Sequence, residues 1–492
     1  MIFDEIIQAI SKEVIDEEDN IKQVVLTILS SYTDNPQNLR ILAPSGEGKT
    51  HTVLKTAKYF PKNNVLKISE ASTKSFKYMA NSKVIEVSDG VFEDFDTVVE
   101  PYEAELSNPK TRKKAEKNIQ ELEKQAYSLL DFTNMTIIFL DSQSFGLWES
   151  LKTTLSHDDV IRKDHTTNKI NGRNQLQKTA YKGYPAVIYC SAKDEISKDD
   201  TDEINTRFNT ISIKGSTKKY KEILKLVLRS DDPTQEIITT KEIEDTTDKI
   251  NQIIESIESF HGVFNPFAQN IEDNFPCDKG SRARQLKILS NTIKTLTLSK
   301  SAGRFSLIND EKQFLISSKS DVVDAINLIG EPTSIATTKI QFFNDSVRPY
   351  LLGRLDAATA SEIAEYLHED RQHLSENYLK PFTDHGYLES EPDPMNRSRF
   401  RYSLSPRYIS VEASIVSTLI DTSVIDISCL KNTLEQRLGQ GYQLVDVTGS
   451  IVSVDFIVSN LGEIDTQSSK IVPESSSVEA SNDVDNLGDS TT

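Results

Sequence analysis

Cysteine is scarce in this chain. Of 492 residues only Cys190, Cys277 and Cys429 are cysteines, far apart and without CxxC spacing. That argues against a disulfide framework or a cysteine zinc site and for a reducing compartment. No stretch approaches the ~20 consecutive apolar residues that span a bilayer. The first residues, MIFDEIIQAISKEVIDEEDN, are acidic, whereas a secretory leader opens with basic ones. The expectation is a cytoplasmic protein with no membrane partner. Positive charge is also in deficit, with 56 Lys and Arg against 75 Asp and Glu and a formal net charge of -19. A protein that coats nucleic acid through bulk basic charge is excluded, so any nucleic-acid contact must be a local patch.

The composition that remains, 37% hydrophobic and 27% charged, suits a soluble globular protein and rules out a collagen-like or wholly disordered chain. At ~100–200 residues per domain the length implies three or four domains. From about Asn460 to Thr492, Ser, Asp, Glu and Asn dominate, and seven carboxylates face the single Lys470. Too little apolar surface is present there to offset the entropy of ordering, and 460–492 is expected to be a disordered acidic tail.

The most informative segment is LRILAPSGEGKT (39–50) followed by HTVLKTAKYF. It gives a short apolar strand, a glycine loop and an amphipathic helix in the order a phosphate-binding loop requires. Ser45, Gly46, Glu47, Gly48, Lys49 and Thr50 would form the nucleotide contact. The glycines turn backbone N–H groups toward phosphate oxygens, Lys49 reaches the β- and γ-phosphates, and the Thr50 hydroxyl is placed for Mg2+. ATP and Mg2+ are the implied ligands. Ala43 departs from the glycine that usually opens the pattern. Further apolar runs at 65–69, 136–140, 186–190 and 210–213 read as buried parallel strands, which with the first make a five-stranded α/β core. The run at 136–140 ends in Asp141, where a Mg2+-organising carboxylate belongs. Ser142 follows it, where many such ATPases have a glutamate that polarises the attacking water. Glu149, Asp158 and Asp159 are the candidate substitutes.

These residues resemble the AAA+ ATPases, and the resemblance runs past the loop. It implies that Ser191, at the end of AVIYC, senses the γ-phosphate, and that Arg207, before the fifth strand, is an arginine finger acting on a neighbouring subunit. The resemblance implies a homo-oligomeric ring, of which a hexamer is one form. Residues 216–340 show apolar spacing of three and four residues and resemble the family's helical lid, in which Arg282 and Arg284 would meet the nucleotide. The core is then 1–215.

Between the second and third of these motifs, residues 156–183 exceed an ordinary loop. Asn171-Gly172 is a strong hairpin signal, and Arg162, Lys163, Lys169, Arg173, Lys178 and Lys182 flank it. A basic hairpin in this position resembles that of the MCM and superfamily-three helicases, where it enters the central pore. Lys169, Arg173 and Lys178 are the implied DNA contacts. Residues 347–405 read as helix, helix, helix and hairpin. Thr359 and Glu362 form a capping box, Leu374, Tyr378, Leu379 and Phe382 give the third helix its buried face, and Gly386 stops it. The order is similar to winged helix-turn-helix domains found after the core in MCM proteins and archaeal initiators. Arg371, Gln372, His373 and Lys380 would then face a groove, and Arg397, Arg399 and Arg401 the phosphates. The charged stretch 101–130 reads as one solvated helix anchored by Tyr127, Leu129 and Leu130. Residues 406–459 contain a helix and a strand-like run at SIVSVDFIVSNL, with no assigned role.

The sequence as a whole points to an ATP-dependent DNA-acting motor, a replication helicase or initiator ATPase, with single-stranded or duplex DNA as partner. A nucleotide-switched DNA-binding regulator that does not unwind is the competing reading, and Ser142 favours it.

Overall fold

The structure, a computed structural model, describes residues 2–43, 46–72, 75–80, 82–170, 173–191, 206–213, 217–232, 237–277, 280, 282–310, 312–329, 339, 342–354, 356–384, 387–394, 396–405 and 422–461. Its first half runs through β1 (Asn38–Leu42), β2 (Val65–Ile68), β3 (Ser82–Ser88), β4 (Val91–Asp94), β5 (Tyr127–Asp131), β6 (Thr136–Phe139), β7 (Ile161–Ile170), β8 (Arg173–Lys182), β9 (Ala186–Ser191) and β10 (Asn209–Ser212). Strands β10-β1-β9-β6-β2 form one sheet, in that order and wholly parallel. The continuous apolar runs that flagged these strands have a direct cause, since both faces are covered. Ile138, Ile188 and Cys190 pack on one side with the N-terminal helices and the helices after residue 240. Ile137, Phe139, Val187 and Tyr189 pack on the other with Trp148, which lies edge-on to Phe139 and Tyr189 at centroid distances of 5.3 and 4.7 Å.

A second sheet, β4-β3-β5-β8-β7, flanks the first. It corrects the single helix expected over 101–130. Helices Phe95–Leu106 and Arg112–Gln125 occupy that stretch, and Tyr127–Asp131 is β5, pairing in parallel with β8. Tyr127, Leu129 and Leu130 anchor the segment as strand residues.

The region after 216 is helical at Thr217–Ser230, Thr240–Ser259, Arg282–Ser299 and Lys319–Leu328, but it also builds a sheet. Strands β11 (Gly262–Phe264), β12 (Ser306–Asn309) and β13 (Lys312–Ile316) pair there, and a strand from the far end of the chain, Gln443–Val445, completes it against β12. Helices Ser428–Leu438 and Val454–Leu461 close that core, so SIVSVDFIVSNL ends in a helix where a strand was expected.

Between these two visits the chain forms a separate apolar core around Phe343, Leu374, Leu379, Phe382 and Tyr387. Its helices precede a hairpin, Leu388–Asp393 with Asn396–Leu404, in the order read from the sequence. The Thr359 cap is present, with Thr359 N–H donating to Glu362 at 2.7 Å and Glu362 N–H to Thr359 Oγ1 at 3.3 Å. Gly386 and the tail 462–492 lie outside the described residues.

Candidate nucleotide-binding site

In a parallel sheet the carboxyl ends of the strands meet the helix N-termini, and ligands collect there. β1 runs directly into the glycine loop. Gly46 and Gly48 have φ of +90° and +89°, conformations that L side chains rarely adopt. Ala43 needs no such freedom. It follows β1 directly, with its N–H donating to the Ser191 carbonyl at 3.3 Å, and its φ is not positive, so alanine fits where the pattern usually has glycine. The Lys49 ammonium donates to the Ala43 carbonyl at 2.6 Å, curled over the loop it would share with phosphate. Burial lowers its pKa, while Cys190, Asp141 and Glu47 nearby act the other way. Burial pushes the Cys190 thiol up to about 12, so it stands there as a neutral apolar group.

The Thr50 hydroxyl donates to the Leu140 carbonyl at 3.4 Å, beside Asp141, which accepts the Ser142 N–H at 2.7 Å. Ser191 is buried and pairs with Leu42. Lys49, Thr50, Asp141 and Ser191 therefore converge on one sheet edge. Their chemistry suits a magnesium nucleotide: an ammonium and glycine amides for phosphate, a hydroxyl and a carboxylate for the metal. Ser45 lies outside the described residues. Two neighbours carried no signal in the sequence. The Tyr220 hydroxyl donates to both Glu47 carboxylate oxygens at 2.7 and 2.9 Å, tying the helix after β10 to the loop. Gln143 bonds the turns after β2 and β6 together.

The opposite edge gathers cations. Arg207 donates to Ser156 Oγ at 2.6 Å, and Arg284 to Thr206 Oγ1 at 2.7 Å. With Lys287, His157 and Asn38 they line a cleft of about 250 Å3. Asn209 sits opposite Leu39 at the start of β1, so a strand of roughly 15 Å separates this cleft from the phosphate loop. Arg284 therefore stands about one strand length from the phosphate loop of its own chain. Its helix docks at the start of β1, where Thr292 donates to Gln37 at 3.1 Å. Arg282, two residues earlier, is buried and donates to Gln285 at 2.7 Å. Glu203 is outside the described residues. Asp158 lines the cationic cleft, with Asp159 next to it in the chain, and Glu149 pairs with Lys152 at 2.5 Å. Asp158 thus stands at the far edge, and Glu149 is engaged on its own helix.

The hairpin forms ten residue pairs from Ile161↔Lys182 to Ile170↔Arg173, with its turn, Asn171-Gly172, outside the described residues. Four of the six expected cations have partners in the half of the hairpin away from its turn. Arg162 donates to Thr153 at 2.6 Å and lies 4.4 Å from the Tyr181 ring. Lys163 pairs with Glu86 at 2.5 Å, and Lys182 with Asp131 at 3.3 Å. Lys178, opposite His165 at the middle of the hairpin, lies over Tyr127, 5.4 Å from its centroid. Lys169 and Arg173 flank the turn by register. In the later module Arg371, Gln372, His373, Lys380 and Arg399 are exposed. Arg401 is drawn toward Asp393, 3.5 Å away, and the Arg397 side chain is not among those described. No described helix is long and apolar enough to cross a membrane.

A family model described as the MTBMA_p00010 P-loop domain matches residues 4–122. With the parallel sheet and the loop geometry, it defines an α/β P-loop nucleotide-binding fold. No curated protein matches the chain. Among solved structures the chain resembles a full-length MCM homolog from Methanopyrus kandleri, at 10% identity and a TM-score of 0.33, over 66% of this chain and 58% of that one. The match therefore spans less than two thirds of that protein's length. It also resembles the Thermotoga maritima RuvB Holliday junction branch migration motor, at 11% identity and a TM-score of 0.20, over 79% of this chain and 92% of that one.

Proposed function

We propose that this chain is an ATP-dependent, DNA-acting AAA+ motor, a replication helicase or initiator ATPase that works as a homo-oligomeric ring. One observation carries the reading: Lys49, Thr50 and Asp141 meet at one edge of the central sheet while Arg207 stands at the other. An arginine so placed is remote from its own chain's phosphates and suited to those of a neighbour. In this scheme Lys49 balances the β- and γ-phosphate charge, Thr50 and Asp141 hold Mg2+, and Ser191 registers the γ-phosphate. The bound metal would offset charge building on the phosphoryl oxygens. Lys169 and Arg173, beside the hairpin turn, would grip a sugar-phosphate backbone without reading bases. The module at 347–405, read as a winged helix, would present Arg371 to a groove and add Arg397 and Arg399 as further phosphate contacts.

ATP turnover of the purified full chain, measured without DNA, with single-stranded DNA and with duplex, tests the proposal. Stimulation by DNA, lost in Lys49→Ala together with nucleotide binding, is the expected result. Ser142 beside Asp141 favours a second reading, the nucleotide-switched regulator. That reading predicts salt-dependent DNA binding with negligible turnover and no strand displacement.

A further inference from the structure

Hydrolysis at this site needs a group that orients the attacking water and accepts its proton. Ser142 cannot serve as that base, and Glu149, Asp158 and Asp159 are engaged or remote, as described above. Glu47 is held by Tyr220.

Gln143 points to another carboxylate. Its side chain is 9% exposed and all three of its amide bonds are used. Nε2 donates to the Ser69 carbonyl and to the Asp141 carbonyl, both at 2.8 Å, and Oε1 accepts the Ala71 N–H at 2.9 Å. Gln143 thus staples the turn after β2 to the turn after β6. The residue between Ser69 and Ala71 is Glu70, which is exposed. β2 and β6 are parallel neighbours with Ile68 opposite Phe139, and Leu140 N–H donates to the Ile68 carbonyl at 2.9 Å. Both strands end there, and the Gln143 bonds carry the turn 69–71 on beside Asp141. Thr50, which reaches Leu140, adjoins the same point. Among the described residues no ion pair takes the Glu70 carboxylate.

We propose that Glu70 is the catalytic base for ATP hydrolysis, supplied by the strand beside the metal strand, and that Gln143 is the positioning residue that fixes its turn against Asp141. This rests on the reading of residues 43–50 as an ATP site. The water oxygen bonds to the γ-phosphorus as the bond from that phosphorus to the β,γ-bridging oxygen breaks, and its electron pair leaves with ADP. The water proton passes to the Glu70 carboxylate and then to the released phosphate or solvent, so no other reactant is consumed.

The test uses the full chain with Glu70→Gln and Glu70→Ala, measuring Mg-ATP affinity with a fluorescent ATP analogue alongside kcat. Turnover should fall by roughly 100-fold or more with nucleotide affinity retained. Gln143→Ala should lower kcat without raising KM, and the Glu70→Gln/Gln143→Ala double variant should be no slower than Glu70→Gln alone. Glu70→Gln turning over within about threefold of the native rate would overturn the assignment. So would a native protein that binds Mg-ATP and does not hydrolyse it. Failure of the native protein to bind Mg-ATP at all is the distinct outcome that removes the site itself.

Discussion

His157 ends the helix Phe145–Ser156 in a left-handed conformation, φ +57°, and its ring lies 4.6 Å from that of Tyr184. Its Nε2 is buried without a hydrogen-bond partner. Burial first, and Lys287 second, lower its pKa to about 4. The folded state therefore resists a proton that the unfolded chain takes up near its ordinary value of ~6.5. Stability is unaffected above pH 6.5, and falls as the pH drops from there to about 4, by about 2–3 kcal/mol from this group. Denaturant melts across that range should show the acid limb flattened in His157→Asn, since asparagine tolerates the same backbone. An unchanged limb would show that this ring is not the group responsible. At this scale the phosphate loop was legible because glycine, lysine and threonine at fixed spacing have few other uses. Gln143, Glu70 and Tyr220 were not, because a single polar residue in a turn has no pattern until its partners are known.

Elements are held to one another at particular junctions. The turn before the helix Glu18–Ser30 presents Glu17, which pairs with Lys219 on the helix Thr217–Ser230, each side chain only 4% exposed. Burial outweighs that pairing and raises the Glu17 pKa. Lys219→Met should leave the carboxylate buried without its cation, with only Asn20 still donating to it, at a cost of about 3–5 kcal/mol, read as a lower unfolding midpoint. Loss below about 1 kcal/mol would mean that water reaches Glu17 after all. The basic hairpin was legible as an element, from Asn-Gly and its flanks, but the uses of its cations were not. Lys163, Lys178 and Lys182 tie its strands to their neighbours in the second sheet, a sheet that no local sequence pattern announced, and Arg162 reaches the helix Phe145–Ser156. Lys169→Ala with Arg173→Ala should bring DNA-stimulated turnover toward the DNA-free rate and flatten the salt dependence of DNA binding by about one unit for each phosphate no longer gripped. Full stimulation in that variant would move the DNA-binding surface elsewhere.

For the whole molecule, the two edges of the central sheet do different work. One collects the phosphate-binding groups, and the other collects Arg207, Arg284 and Lys287. In the proposed ring the second edge of one subunit faces the first edge of the next. Arg207→Ala should then cut turnover by roughly 10³-fold with nucleotide still bound. Mixing it with Lys49→Ala should restore activity, because some junctions regain an intact loop and an intact arginine. Two inactive variants that stay inactive on mixing would exclude action across subunits. The amino-acid sequence by itself determined the parallel core, the phosphate loop with Asp141, and the helix-and-hairpin module with its own apolar centre. Each rests on local spacing, a strand or helix period or a short motif, that survives whatever surrounds it. Only the tertiary structure decided that Arg284 belongs with Arg207, that Gln143 joins the turn carrying Glu70 to Asp141, and that Gln443–Val445 returns to pair with Ser306–Asn309. Those outcomes depend on strand order and helix docking between residues far apart in the chain, and pairwise spacing along the sequence carries no record of them.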